Sequence, residues 1–114
     1  LDEKLDKFFI LPEKHPKSDP SWYGFLLTIK NSKRINRNKL VSFLNEKKVL
    51  TRLLFAGNLT KQPGYMNREH KIIGNLQNTD KIMNDTFWVG VWPGLDENQL
   101  DYIVNEIKKF IKEN

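Results

Sequence analysis

The sequence predicts an α+β domain, with a small sheet of three main strands and helices on one face. Two observations lead to this class. Three short segments rich in apolar and aromatic residues are separated by polar turns, and the last part of the sequence has a strongly amphipathic helical pattern. A length of 114 residues with 39% hydrophobic residues is enough for one domain with a modest core.

Residues 1–11 are predicted to form the end of a helix that Pro12 terminates. Apolar side chains recur there at helical spacing: Leu1, Leu5, Phe8 and Phe9. This helix has no start signal and the sequence does not begin with Met, so we expect the helix to continue from sequence that is not present here.

Three segments are predicted as strands, at residues 22–30, 51–56 and 87–92. The first has largely apolar residues on both faces, which predicts a strand covered on both sides. Pro93-Gly94 ends the third strand.

Two long helices are predicted around these strands. Asn36 is expected to cap a helix over residues 37–48, and Asp96 with Gln99 forms the capping-box pattern before the last helix. The last helix has the clearest apolar stripe in the chain: Leu100, Ile103, Val104, Ile107, Phe110 and Ile111.

Residues 57–85 form a long excursion between the second and third strands. Short helices are expected near residues 67–73 and 79–83, with Gly74 as the C-terminal cap of the first. An excursion of this length in a small domain is usually functional or packs against a partner.

The composition excludes several classes of function. The net charge is +5, but lysines alternate with acidic residues, which indicates solvated helix faces and no nucleic-acid partner. No apolar segment is long enough for a membrane helix. The absence of Cys excludes a disulfide framework or a structural zinc centre, and we expect a cytoplasmic protein.

Few residues suggest catalytic chemistry. His15 and His70 are too far apart in sequence to indicate a metal site, and no Ser-His-Asp or phosphate-cradling Gly-rich pattern occurs. Asp80 and Asp85 could face each other as a carboxylate pair, although helix capping by Asp80 is the alternative.

The end of the second strand is the predicted site. Gly57 and Asn58 tolerate positive φ, so the chain can turn sharply there and continue into a polar loop that includes Thr60, Lys61 and Gln62. Polar loops at strand ends are where sites are usually built, although a solvated connection is the alternative.

Three segments carry a family resemblance: PSWYGFLLTI (residues 20–29), TRLLFAGNLTKQPGY (51–65) and NTDKIMNDTFWVGVWPGLD (78–96). Together they resemble the C-terminal part of the DegT/DnrJ-type nucleotide-sugar aminotransferases and dehydratases, pyridoxal-phosphate (PLP) enzymes of fold type I. The nearest branch is the CDP-4-keto-6-deoxyglucose 3-dehydrase of lipopolysaccharide biosynthesis. The resemblance covers about residues 12–102. It implies a mostly antiparallel sheet of three to four strands, with residues 12–114 as a small C-terminal cap domain.

The resemblance places the chemistry outside these residues. It implies a large preceding domain that binds PLP or pyridoxamine phosphate (PMP), a nucleotide-sugar substrate and a homodimeric parent. In the 3-dehydrase branch a histidine replaces the Schiff-base lysine, and a [2Fe–2S] cluster on cysteines passes electrons. None of those motifs occurs here, so we expect no catalytic, cofactor or metal residue in this segment and no activity from it alone.

Four residues are the candidate substrate contacts: Arg52, Phe55, Asn58 and Gln62. Arg52 can pair with a phosphate or carboxylate, with a strand-edge salt bridge as its alternative. Phe55 can wall the cleft or pack in the core. Asn58, which we expect the turn to present outward, and Gln62 can bind sugar hydroxyls or serve only to form the turn.

Three other functions stay open. Within the family, the parent could be a lysine-based nucleotide-sugar aminotransferase, which a residue outside this segment decides. From other classes, the chain could be a small α+β module that binds RNA or a regulatory ligand, or a structural interaction domain rich in aromatic residues. Strands that are apolar on both faces count against RNA binding, which needs aromatics and lysines on an open sheet face.

Overall fold

The computed structural model describes residues 5–114. Within this range the chain forms a four-stranded sheet and three α-helices, which confirms the α+β class. The strands are β1 (Phe9–Ile10), β2 (Gly24–Ile29), β3 (Thr51–Leu53) and β4 (Thr86–Gly90). The helices are α1 (Arg37–Glu46), α2 (Gln77–Asp85) and α3 (Glu97–Glu113), with a short 3₁₀ helix at Leu59–Lys61.

The sheet has the order β1-β2-β4-β3, and every neighbouring pair is antiparallel, as the resemblance implies. Strand β4 is central because it pairs with both β2 and β3. In this register Leu27 lies opposite Phe87, and Gly24 lies opposite Gly90. Alternate residues therefore divide cleanly between two faces of the sheet.

One face of the sheet is covered by α1 and α3 and holds the core. Leu27, Phe87 and Val89 of the sheet are almost completely buried there. The rings of Phe43 in α1 and Phe110 in α3 pack 5.4 Å apart, so the two helices also contact each other. Burial of each large apolar side chain contributes roughly 1.5–3 kcal/mol, which makes this face the main source of stability.

The predicted caps of the two long helices are confirmed. The Asn36 side chain accepts a hydrogen bond from the Lys39 backbone N–H at 3.0 Å. Asp96 and Gln99 form the reciprocal capping box, with distances of 3.0 and 2.9 Å. Four residues of the predicted α3 stripe are buried: Val104, Ile107, Phe110 and Ile111. The other two, Leu100 and Ile103, are half-buried.

The opposite face of the sheet is only partly covered by the described residues, so the prediction of a β2 strand covered on both sides is wrong for part of its length. Leu26 and Trp88 are half-buried on this face, and Tyr23 lies against Trp88 with ring centroids 5.3 Å apart. Coverage is better at one end, where the hydroxyls of Thr28 and Thr86 share a 2.8 Å hydrogen bond.

The N-terminal prediction of a helix through residue 11 is wrong where it meets β1. Leu5 is helical and buried, but Phe9–Ile10 pairs with Ile29 and Thr28 as an edge strand. Leu5 and Phe9 both belong to the core, so the helical spacing arises from a turn between two buried side chains. The Leu1 position of the predicted stripe lies outside the described residues.

The predicted helix over 37–48 and strand over 51–56 are both too long. The helix ends at Glu46 because Lys48 adopts a left-handed φ of 64°, and the Val49 N–H bonds to the Leu44 carbonyl at 2.9 Å. This arrangement satisfies the helix C-terminus without a glycine. Strand β3 ends at Leu53 because the backbone turns immediately afterwards.

The excursion has one of the two predicted helices. Residues 77–85 form α2, longer than the predicted 79–83, and the helix passes directly into β4 at Thr86. Residues 67–73 form turns and irregular backbone, so that predicted helix is wrong and Gly74, with φ 74°, caps nothing. Among the described helices, none is both long and apolar enough to cross a membrane.

Candidate functional site

The candidate site is the end of β3 together with the loop that follows it, residues 52–62, here called the site loop. Phe55 has a left-handed φ of 47°, which is unfavourable for a bulky residue, and its N–H bonds to the Leu53 carbonyl at 2.9 Å. The Phe55 side chain is 83% exposed, so its alternative role in core packing is wrong. The tight turn therefore presents an aromatic ring to solvent.

Arg52 lies on the partly covered face of the sheet, opposite Trp88 in the register. Its side chain is exposed, and its Nη1 donates to the neighbouring Thr51 carbonyl at 3.1 Å. None of the ion pairs within residues 5–114 involves Arg52, so the alternative of a strand-edge salt bridge is not realised there. The guanidinium keeps donors that can bind an anion.

Asn58 has a different position from the one predicted. It is only 2% exposed, so the expectation that the turn presents its side chain outward is wrong. Its Oδ1 accepts hydrogen bonds from the Thr60 N–H at 3.1 Å and the Thr60 hydroxyl at 2.7 Å. The Asn58 side chain thereby caps the 3₁₀ helix, as asparagine commonly does at turns.

Asp80 of α2 completes this arrangement, and we call the three residues the Asn58–Lys61–Asp80 clamp. One Asp80 oxygen accepts from Asn58 Nδ2 at 2.7 Å, and the other pairs with Lys61 Nζ at 2.8 Å. Hydrogen bonds from Lys61 and Asn58 hold the pKa of Asp80 below its ordinary value of 3.8. The carboxylate is therefore ionised across the neutral pH range.

The clamp was missed in the sequence because two local interpretations of Asp80 competed with it. Asp80 does not pair with Asp85, which instead binds Lys81 at 3.0 Å within α2. Asp80 does not cap α2 either, since the helix begins after Leu76. The available signal was the Asn58-Leu59-Thr60 pattern, which is typical of a side-chain-capped turn.

Gln62 closes the site loop on itself. Its Nε2 donates to the Ala56 carbonyl at 2.6 Å, and the side chain stays partly accessible. Gly57, with φ 63°, lies so close to α2 that a Cβ there would be 2.6 Å from the Met83 Cβ. The loop is therefore fixed both internally and against α2.

Apolar side chains are exposed on and after the site loop. The largest of them are Phe55, Leu59, Tyr65, Met66 and Ile73, all more than half exposed. These side chains are therefore available for contact with another protein segment.

A separate apolar groove of about 710 Å³ lies at the other end of β3 and β4. Its walls include Leu50, Val91, Trp92 and Tyr102, and Lys47 and Lys48 lie among the lining residues. None of the four predicted contact residues lines it. Within residues 5–114, no three His, Asp or Glu side chains are grouped to hold a metal ion.

Comparisons with known proteins agree with this description. The chain is 51% identical over 108 residues to the lipopolysaccharide biosynthesis protein RfbH of Salmonella typhimurium. This match covers 95% of the chain and 25% of RfbH. It is 42% identical over 102 residues to a dTDP-4-dehydro-2,6-dideoxy-D-glucose 3-dehydratase of Saccharopolyspora spinosa, covering 90% of the chain and 22% of the relative. The chain thus spans about a quarter of the length of these relatives.

The fold also matches solved structures. An Escherichia coli GDP-4-keto-6-deoxy-D-mannose-3-dehydratase with bound hydrated PLP superposes with a TM-score of 0.79 at 20% identity, over 93% of this chain and 28% of that one. The model of the DegT/DnrJ/EryC1/StrS aminotransferase family matches residues 3–108. The chain therefore belongs to the DegT/DnrJ/EryC1/StrS aminotransferase family.

Proposed function

We propose that this chain is the C-terminal cap domain of a nucleotide-sugar 3-dehydrase that acts in deoxysugar and lipopolysaccharide O-antigen biosynthesis. The observation that carries the proposal is the 51% identity to a lipopolysaccharide biosynthesis protein over 108 residues. The second relative, whose name is that of a sugar 3-dehydratase, supports the same reaction class. The cap would comprise residues 12–114 together with β1, because Phe9–Ile10 pairs with β2 and Phe9 lies in the core, and the chain before β1 would lead in from a large preceding domain.

The site loop is the part of this domain that we assign to the substrate. Arg52, Phe55 and Gln62 have accessible side chains on one short segment that runs from β3 into the loop after it. Arg52 would bind a phosphate of the nucleotide sugar, and the exposed Phe55 ring would form one wall of the cleft. Gln62 would offer its free acceptor to a sugar hydroxyl. Asn58 would act indirectly, because its amide is already bonded within the chain.

The cofactor of the parent would be PLP or PMP, held mainly by the large domain. The described residues do not fit a cofactor site by themselves: each clamp side chain is bonded to another, and the site loop lies on an open surface. The sequence has no cysteine, so the ligands of a [2Fe–2S] cluster would also lie outside it. We therefore expect the chain alone to be inactive. The parent would be a homodimer in the cytoplasm.

A lysine-based nucleotide-sugar aminotransferase is the second candidate, because the family that matches residues 3–108 is named for aminotransferases. The residue at the cofactor position of the parent separates the two, since a histidine there favours the dehydrase and a lysine favours the aminotransferase. Either enzyme would use this domain in the same way.

The test is the substitution Arg52→Ala in the full-length enzyme, assayed with a nucleotide 4-keto-6-deoxysugar. A hydrogen bond to a charged group contributes roughly 1.5–3 kcal/mol, so kcat/KM should fall about ten- to a hundredfold. The melting temperature should stay unchanged because Arg52 is exposed. Arg34→Ala, another exposed arginine outside the site loop, is the control and should leave kcat/KM unchanged. A lower melting temperature with intact kcat/KM would make Arg52 a structural residue and contradict the assignment.

A further inference from the structure

The shape of the site loop depends on few interactions. Its backbone includes two left-handed residues, Phe55 and Gly57, and one of them has a bulky side chain. A non-glycine residue in this conformation is strained and persists only when surrounding contacts impose it. Besides backbone hydrogen bonds within the loop, the contacts that hold it are those of the clamp, the Gln62 bond to Ala56 and the approach of Gly57 to Met83.

The clamp fixes both ends of the 3₁₀ helix with one carboxylate. Asn58 precedes this helix and Lys61 is its last residue, and each binds a different oxygen of Asp80. Asn58 is buried, so loss of its acceptor would leave an amide donor unpaired. Lys61 is about half exposed, so its ion pair is the weaker of the two contacts.

The clamp also connects the site loop to the sheet. Asp80 lies in the first turn of α2, and α2 runs without a break into the central strand β4. In the same helix Lys81 donates to the Ile29 carbonyl of β2 at 2.8 Å. The loop is therefore anchored to a helix that is itself attached to two strands.

We propose that Asp80 is a positioning residue, which holds the site loop in the conformation that presents Phe55 and Gln62 to the nucleotide sugar. Asp80 does not touch the substrate and acts through Asn58 and Lys61. When the loop is already ordered, substrate binding does not include the entropy cost of ordering it. Loss of Asp80 should therefore mainly increase KM. This role rests on the proposed function of the site loop.

The first readout is independent of catalysis. In the full-length protein, amide hydrogen exchange reports whether the loop opens locally. Thr60, Lys61 and Gln62 are suitable probes because their N–H groups bond within the loop. Asp80→Ala should increase exchange at these amides about tenfold or more, since it removes both contacts of the clamp.

Two further variants separate the clamp from general effects. Asp80→Asn keeps the shape and can still accept from Asn58, so its increase in exchange should be smaller than that of Asp80→Ala. It also serves as the test variant if the alanine protein does not fold. Asp85→Asn removes the same charge from the same helix without a contact to the site loop, and should leave exchange at the three amides unchanged.

The second readout is steady-state kinetics of the full-length enzyme. Asp80→Ala should increase KM for the nucleotide sugar about tenfold and change kcat less than about twofold. Unchanged exchange in Asp80→Ala would overturn the clamp. Increased exchange with unchanged KM would overturn the positioning role and leave the Arg52 contact to be judged separately. An unmodified enzyme without sugar-nucleotide activity would instead overturn the proposed function, while exchange would still decide whether Asp80 holds the loop.

Discussion

The helix-covered core and the excursion between β3 and β4 use opposite means to hold their structure. In the core, apolar side chains from α1, α3 and the sheet are almost fully buried against one another. In the excursion, apolar side chains such as Phe55 and Ile73 are exposed, and polar contacts around Asp80 fix the backbone. Stability and presentation of side chains are thus assigned to different parts of a small domain, as is common where loops carry function.

The largest expected effect is the difference in stability between two variants, one with a charge placed in the core and one with a charge placed on the excursion. Ile107→Asp puts a carboxylate on the buried stripe of α3, where an unpaired charge should cost more than about 3 kcal/mol and unfold much of the protein. Phe55→Asp makes the same kind of change on the excursion and should not lower the melting temperature, because the ring is exposed and Asp tolerates a left-handed φ better than Phe does. Thermal unfolding of the two variants, followed by circular dichroism, measures the contrast. Equal melting temperatures would mean that the two regions do not differ in this way.

A smaller effect is expected from a pair of glycines on facing strands. A Cβ on Gly24 would lie 2.3 Å from Trp88 Cε3, whereas a Cβ on Gly90, its register partner, would meet nothing within 4 Å. Gly24→Ala should therefore destabilise the protein by about 1–3 kcal/mol through overpacking.

Gly90→Ala is the matched control for this substitution and should change stability by less than about 0.5 kcal/mol. Urea unfolding of both variants gives the two free energies. A tolerated Gly24→Ala would show that Trp88 can move aside, and that the partly covered face is less tightly packed than the core.

The smallest effect concerns the clamp and depends on pH. Because the folded state lowers the pKa of Asp80, its contribution to stability is fully present above about pH 4 and is lost as the pH falls through the folded-state pKa. The difference in melting temperature between the unmodified chain and Asp80→Asn should therefore be constant near neutral pH and shrink below pH 4. Asp19→Asn, which alters an exposed ion pair with Lys14, is the control and should change the melting temperature little at neutral pH. A difference that persists at pH 2 would contradict this linkage.

The sequence predicted the core better than the site, for a physical reason. Apolar periodicity reports directly on burial, so the α3 stripe and both caps were placed correctly. Strand length was overestimated after Leu53 because Leu54, Phe55 and Ala56 are apolar, although a left-handed turn at Phe55 ends β3. An apolar pattern cannot distinguish a strand from a loop whose apolar residues are exposed.

The sequence predicted which segment carries the candidate site, but not how the side chains of that segment are arranged. The Gly57-Asn58 turn and the polar loop were recognisable from local residue preferences. The burial of Asn58 was not recognisable, because its partner Asp80 lies 22 positions away in the sequence. An acidic residue on a helix also has local explanations, such as helix capping, which do not point to Asn58. Long-range polar contacts of this kind leave no periodic trace in the sequence.

The position of β4 between β2 and β3 also determines how the domain can be made. The partners Thr28 and Thr86 are 58 positions apart, so the central pair of the sheet closes a long loop, an entropy cost that typically slows folding. During synthesis β2 and β3 emerge before the strand that both require, and each presents unpaired backbone groups until it arrives. The β2-β4-β3 part of the sheet therefore assembles only after Thr86–Gly90 has been synthesised, whereas β1 can pair with β2 before that.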